Sequence, residues 1–309
     1  MNAPPVLMLF VDGIGLPSNP DTPTPLRPDV CPRLIALLAD DTVATDASLG
    51  IPGLPQSATG QTAILTGINA PAICGRHVEG FPGESLREII RRHNIFQQLA
   101  DAGSGSTFAN GYLATSPGEV HASRVKSVTT VAALSAFGDV RRLQHLMRHE
   151  AVAHDLTRES LGARGYVGPC ISPEQAAGDL AAIAATHAFT LFEFFQTDRA
   201  GHREDLAAAE TILRKFDRFL TALLRLTDAA GMLLTLTSDH GNIEDTSVRT
   251  HTCNPVPFSA RGPGAAALRR EVRDLTDITP AILRYITTTG SSITKQAPPP
   301  TGDSARITP

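Results

Sequence analysis

The stretch from Thr235 to Phe258 reads TLTSDHGNIEDTSVRTHTCNPVPF. It completes an apolar run, GMLLTLT, that stops at an adjacent carboxylate and imidazole, Asp239 and His240. Gly241, a polar loop and a second imidazole, His251, follow. A continuous apolar run of this length, bounded by polar residues, is expected of a parallel strand buried on both faces. Ligands of such sheets bind beyond the carboxyl ends of the strands, which is where this pair falls.

Working outward, VLMLFV at residues 6–11 is a run of the same kind and stops at Asp12-Gly13. FTLFEFF at 189–195 is another, and leads into QTDRAGH with Asp198 and His202. Helical patterns separate these runs. RLIALLAD at 33–40 is a short helix, residues 59–67 start another, and 94–110 combine an amphipathic stretch, a glycine stop and a short strand-like end. Ser172 opens an Ala-rich helix with a capping pattern. In the segment 204–227, Ile212, Leu213, Phe216, Phe219, Leu220 and Leu223 recur at helical spacing. The alternation predicts an α/β fold, a doubly wound and mostly parallel sheet. The pattern weakens over 113–171, which is expected to be an inserted cap lobe on a core of 1–112 and 172–288. Residues 289–309, rich in Pro, Ser and Thr, are expected to be a disordered tail.

With 309 residues, 42% of them hydrophobic, the chain can bury a sizeable core. Its net charge of -4 offers no basic field for a nucleic-acid backbone or an anionic membrane, so a small-molecule partner is expected. Cys31, Cys74, Cys170 and Cys253 form no C-x-x-C pair, which fits neither a disulfide framework nor a zinc knuckle and suits a reducing cytoplasm. The first apolar run is too short to span a membrane and lacks a basic leader, so it is expected to be a strand.

Taken singly, the polar residues at the strand ends have ordinary explanations: Asp12-Gly13 as a turn, Asp198 as a helix cap, Asp239-His240 as a solvated loop. Together they point to metal chemistry. Asp and neutral His suit Zn²⁺ or Mn²⁺, and Asp12, Asp198, Asp239, His202, His240 and His251 can hold two such ions with positions open to substrate. The segment GLPQSATGQTAILTG at 53–67 brings Ser57 and Thr59 to the entry of a helix, whose backbone N–H groups favour an anion such as phosphate. A serine hydroxyl bound to a divalent cation becomes a nucleophile at neutral pH, although the same letters also make a helix cap.

LFVDGIG, PQSATGQTAILTG, TDRAGH, TSDHGN and HTCNPVPF stand in the order found in the alkaline phosphatase superfamily. The chain resembles its cofactor-independent phosphoglycerate mutase and phosphopentomutase branch. The resemblance implies an alkaline phosphatase-like core with Asp198, His202 and His251 on one metal, and Asp12, Asp239, His240 and the nucleophile on the other. It places the nucleophile at Ser57, three residues before Gly60, with Thr59 as second choice, and implies a phosphoserine intermediate and two divalent ions, Mn²⁺ being usual in that branch. The better-known mutases carry a larger inserted domain with several basic residues that grip the substrate. In the shorter lobe here, Arg124 and Lys126 are the expected basic contacts, with Arg76, His77 and Asn110 as further candidates near strand ends or helix boundaries.

The expected activity is hydrolysis of a small phosphorylated metabolite. The alternatives are an intramolecular phosphomutase and, in another class, a non-catalytic metal-stabilised scaffold. A sulfatase is disfavoured because Ser57 lacks the Ser-x-Pro-x-Arg context. Glu244 and Asp245, inside the loop joining the two imidazoles, either orient a ligand or face solvent.

Overall fold

A computed structural model describes residues 3–19, 21–203 and 205–291. Its strands are β1 (Val6–Val11), β2 (Thr42–Thr45), β3 (Ser106–Phe108), β4 (Phe189–Phe194), β5 (Leu233–Thr237) and β6 (Val256–Arg261), in the sheet order β2-β6-β5-β1-β4-β3. β1 pairs in parallel with β4 and β5, and β4 with β3, while β6 runs antiparallel to β5 and β2. The sheet is therefore mixed but mostly parallel, as its apolar runs require.

Every residue of β1 is buried. Val6, Met8 and Phe10 join one hydrophobic core, while Leu7, Leu9 and Val11 join another across the sheet. A strand covered on both faces has no solvent side, which is why VLMLFV shows no polar alternation. One core includes the helices Ser57–Thr66, Glu84–His93, Ile95–Asp101, Val128–Phe137 and Ile278–Ser291. The other is covered by Pro32–Asp40, Pro173–Ala184 and Leu206–Ala229. In the last of these, Leu213, Phe216, Leu220 and Leu223 form the buried stripe, and Phe216 stacks on Phe194 of β4 with ring centroids 4.9 Å apart. Full burial of each such side chain contributes roughly 1.5–3 kcal/mol.

The stretch 113–171 differs from a simple cap lobe. Its helix Val128–Phe137 lies in the main core beside Ile90 and Phe96, with the Phe137 ring 5.0 Å from that of Phe96. Leu146, Ala151, Ala153, Leu161 and Tyr166 form a small cluster of their own. Residues 289–291, expected in a disordered tail, complete the helix Ile278–Ser291, and the rest of that expected tail lies outside the described residues. Among the described residues no helix is long and apolar enough to cross a membrane.

Strand register positions the site. Val11 lies opposite Phe194 of β4, and Phe10 lies opposite Thr237 of β5. Asp12, Asp198 and Asp239 therefore leave three adjacent strands at the same sheet edge.

Candidate metal centre

The loop after β1 is stitched between its neighbours. Asp12 donates its backbone N–H to Phe194 O at 3.0 Å, Ile14 N–H donates to Ser238 Oγ at 2.9 Å, and Ile243 N–H donates to Gly13 O at 3.0 Å. Gly13 has φ +71°, and a Cβ there would stand 2.8 Å from Asp198 Cβ, so only glycine permits this approach. The helix Ser57–Thr66 comes equally close on the other side. A Cβ on Gly60 would be 2.9 Å from both Cβ and the carbonyl oxygen of Asp239. That contact lets Ser57, the first residue of the helix, bring its hydroxyl 2.9 Å from His240 Nε2.

The expected ligands converge in two overlapping groups. In one, His202 Nε2 and His251 Nε2 lie 3.3 and 3.5 Å from Asp198 Oδ1, and 3.3 Å from each other. In the other, His240 Nε2 lies 3.4 Å from Asp12 Oδ1 and 3.5 Å from Asp239 Oδ2. His240 also groups with Asp198 and His251, and its ring stacks on that of His251 with centroids 3.6 Å apart, so it faces both sets.

The donor set fits divalent cations. Ligand atoms about 2.0–2.1 Å from a tetrahedral ion stand about 3.3 Å from one another, close to these separations. His251 Nδ1 is 2.9 Å from Pro55 O and His202 Nδ1 is 2.7 Å from Arg249 O. With the rings neutral, donating Nδ1–H to a carbonyl turns each Nε2 lone pair toward the other across 3.3 Å, an arrangement that a shared cation stabilises, and without a cation protonation of Nε2 lets His251 pair with Asp198. Asp12 Oδ1 and Asp239 Oδ1 are buried and lack a hydrogen-bond partner among the described residues. Buried carboxylate oxygens without donors are costly unless a cation serves them.

The electrostatics divide the site. Burial would raise the pKa of Asp198, but the His251 hydrogen bond, His240, the Asn242 amide and His202 outweigh it and hold the carboxyl at about 2. Asp12 is pushed well above the usual carboxyl range, first by burial and then by the charges of Asp239, Asp198 and Glu193. Burial holds His240 below the usual imidazole value. The histidines thus favour the ionised form of Asp198, while burial and neighbouring carboxylates disfavour it for Asp12, a penalty that a bound cation would relieve.

Three further residues orient these groups. Gln61 Nε2 donates to Asp12 Oδ2 at 3.3 Å and to Asp239 Oδ2 at 3.1 Å. It stands one helical turn beyond Ser57, a spacing visible in the sequence. Asn242 Nδ2 donates to Asp198 Oδ1 at 2.7 Å. Glu244, fully buried, accepts from Gly15 N–H at 2.8 Å and Asn242 N–H at 2.7 Å through Oε2. Through Oε1 it accepts from Thr252 Oγ1 at 2.5 Å and Asn254 Nδ2 at 3.1 Å. Its neighbour Asp245 accepts from Ser247 in a local turn. Glu244→Gln would turn an amide donor onto donors, so we expect about a 10–100-fold loss of divalent-cation affinity, read by titration calorimetry. An unchanged affinity would mean that this carboxylate is not what holds the loop.

A cavity of about 560 Å³ opens over the centre, lined by Asp12, Ser57, Gln61 and Asp198 at its metal-binding end. Thr59 is not part of it: its hydroxyl donates to Gln56 O at 3.2 Å and accepts from Val78 N–H at 3.2 Å, which leaves Ser57 as the hydroxyl at the centre. Of the proposed substrate contacts, Asn110 lines the cavity, but its amide clamps the Glu193 backbone at 2.7 and 2.8 Å. Arg76, His77, Arg124 and Lys126 do not line it. His77 Nε2 is bound to Ile51 O, and Lys126 faces a separate groove with Arg87 and Arg91. The basic residues at the cavity are Arg164 and Arg199, both exposed, along with His154. Sequence reasoning missed them: a turn far from the ligand motifs in sequence brings Arg164 there, whereas Arg199 stood beside Asp198 in TDRAGH and was legible at that position. Glu193, also missed, carried a signal: a lone carboxylate inside the apolar strand FTLFEFF. Burial raises its pKa to about 7 although Thr129 Oγ1 donates to it at 2.7 Å.

A mostly parallel α/β sheet with carboxylates and imidazoles gathered at one edge is the architecture of a metal-binding enzyme. Residues 5–289 match the family model described as Metalloenzyme superfamily, and the chain belongs to that superfamily. It is 32% identical over 130 residues to the 2,3-bisphosphoglycerate-independent phosphoglycerate mutase of Cereibacter sphaeroides, a match covering 38% of this chain and 25% of that protein. The match thus spans a quarter of the curated relative's length. A solved protein from Pyrococcus horikoshii, 14% identical, aligns with a TM-score of 0.55 over 94% of this chain and 98% of its own. The alkaline phosphatase of the Antarctic bacterium TAB5, 13% identical, aligns with a TM-score of 0.50 over 93% of this chain and 99% of its own. These two share the fold.

Proposed function

We propose that this metalloenzyme transfers phosphoryl groups and hydrolyses small phosphate monoesters through a phosphoserine on Ser57. The supporting observation is the Ser57 hydroxyl, 2.9 Å from His240 Nε2 at the start of a buried helix, beside two groups of Asp and His ligands. Asp198, His202 and His251 would hold one Zn²⁺ or Mn²⁺, and Asp12, Asp239, His240 and Ser57 the other. Such a pair, when bound, supplies the charge that lowers the hydroxyl pKa and stabilises the attacking and leaving oxygens.

Ser57 Oγ, having lost its proton to solvent, attacks phosphorus in line. The Oγ–P bond forms as the ester P–O bond breaks, and the departing alkoxide takes a proton from water. Water then attacks the phosphoserine, releases inorganic phosphate and restores Ser57. The helix N-terminus and the guanidiniums of Arg164 and Arg199 complement the negative charge of the substrate.

A phosphomutase is the second reading, favoured by the identity of the curated relative. In a mutase another hydroxyl of the same substrate, instead of water, would take the phosphoryl group. Hydrolysis is preferred because the basic residues that line the cavity, Arg164 and Arg199, are exposed, an arrangement that leaves a phosphoserine open to water. The test is a panel of phosphate monoesters with protein loaded with Mn²⁺ or Zn²⁺, following phosphate release colorimetrically and isomer formation by phosphorus NMR. Phosphate release without isomers is expected. Isomerisation without release would establish the mutase, and turnover of no ester with either cation would overturn phosphoryl transfer, leaving a metal-stabilised scaffold.

A further inference from the structure

We infer that the cavity takes phosphate monoesters whose alcohol portion carries a flat ring, as in aryl or nucleoside phosphates. The inference rests on phosphoryl transfer at Ser57 and adds the other end of the substrate. Besides its metal-binding residues the cavity is lined by Phe81, Tyr112, Phe195 and His154, with Leu113 and Leu161. The His154 and Phe195 rings stack with centroids 4.7 Å apart and planes 27° apart, a preformed flat surface. Phe81 is 56% exposed at the cavity, apolar area that a ring seated against it would cover.

The uncharged polar groups on this wall are already engaged within the protein, and the guanidiniums of Arg164 and Arg199 near His154 are left to meet the phosphate. The Tyr112 hydroxyl is bound to Thr130 Oγ1 at 2.6 Å, so the residue presents its ring. Ser127 Oγ is 2.8 Å from both Thr129 and Thr130 hydroxyls, and the Asn110 amide is bound to the β4 backbone. A compact polar ester such as phosphoglycerate would have Arg164 and Arg199 for its carboxylate but would leave the rings uncovered. A planar ring buries against the same surface and needs few hydrogen bonds. The cavity of about 560 Å³ has room for a phosphate and such a ring together.

The experiment measures binding, so that differences in leaving-group reactivity do not enter. Metal-loaded Ser57→Ala protein is titrated calorimetrically with inorganic phosphate, methyl phosphate, 3-phosphoglycerate, phenyl phosphate and adenosine 5′-monophosphate, and the series is repeated with Phe81→Ala added. The ring-bearing esters are expected to bind about tenfold more tightly than methyl phosphate or 3-phosphoglycerate, and Phe81→Ala to remove most of that advantage without changing inorganic phosphate binding. Preference for adenosine monophosphate over phenyl phosphate would identify a nucleoside source, and the reverse an aryl one. Equal affinity for methyl and ring-bearing esters, or 3-phosphoglycerate as the tightest ligand, would overturn the ring site while leaving phosphoryl transfer standing. If neither inorganic phosphate nor any ester binds, phosphoryl transfer at Ser57 is itself overturned. Phe81 is a surface residue, so its loss leaves the core intact.

Discussion

Ser57→Ala protein, loaded with Mn²⁺ or Zn²⁺, should release phosphate from esters at least about 10⁴-fold more slowly than the parent protein. The side chain removed is, among the described residues, the hydroxyl bound to the His240 ring, and Thr59, the other candidate, is held by Gln56 and Val78. The helix should survive the change: Ser57 is its first residue, partly buried, and alanine is at ease in a first turn. The melting temperature is therefore expected to stay within about 2 °C. Acid-quenched reactions with labelled ester should trap phosphate on the parent chain and none on the variant. Retention of turnover within tenfold would mean that water attacks the ester directly.

Removing divalent ions with a chelator is the second large effect, expected to abolish turnover and to lower the melting temperature by about 5–10 °C at pH 8. The size follows from linkage: an ion present at 100 times its dissociation constant stabilises the folded state by about 2.7 kcal/mol. The metal-free protein should also respond to pH in a particular direction. The Glu193 carboxyl titrates near 7 in the fold against an ordinary value of 4.5, because burial disfavours its charge. Between those values Glu193 binds more proton in the folded chain than in the unfolded one. Through this group stability rises as pH falls from 7 toward 4.5, by on the order of 3 kcal/mol, while the buried His240, held below the usual imidazole value, opposes the trend. Asp12 is shifted in the same direction as Glu193. Asp198 is shifted the opposite way, to about 2, so its contribution is lost only under more acid conditions. Metal-loaded protein should instead lose stability on acidification, since protons compete for the same carboxylates and imidazoles. Calorimetric scans of both forms from pH 5 to 8 test this. Curves that run parallel would show that no cation sits among these acids.

Where the sequence was explicit, a physical constraint acted locally. β1, β4 and β5 are covered on both faces, so their runs show no polar alternation, only Glu193 and a few buried threonines among apolar residues, and each run stops where the chain reaches the polar sheet edge. Asp12, Asp198 and Asp239 could be read as neighbours because parallel strands end together. The helix Val128–Phe137 was hidden because VTTVAALSAF is small and mixed on every side and lacks a helical stripe. The short edge strand β2 and the proline-bearing β6 gave no alternation to read. Gln61 and Glu244 were visible as letters, yet their work is defined by partners on distant segments. Glu244 reaches Gly15, 229 positions away. The cationic wall was misplaced for the same reason: proximity to a strand end in sequence brought Asn110 to the cavity but not Arg76 or His77.

The shared edge of β1, β4 and β5 also bears on how the molecule comes into being. Synthesis delivers Asp12 well before Asp198 and Asp239, and β1, which leads to Asp12, lies between the two strands that lead to the other carboxylates. The coordinating pocket can close only when β1 has been inserted between two late-arriving strands, the slow, non-local step in a sheet of this topology. Ion uptake is thus a late event in the history of each molecule, and a bound cation marks a chain whose central strands have found their places.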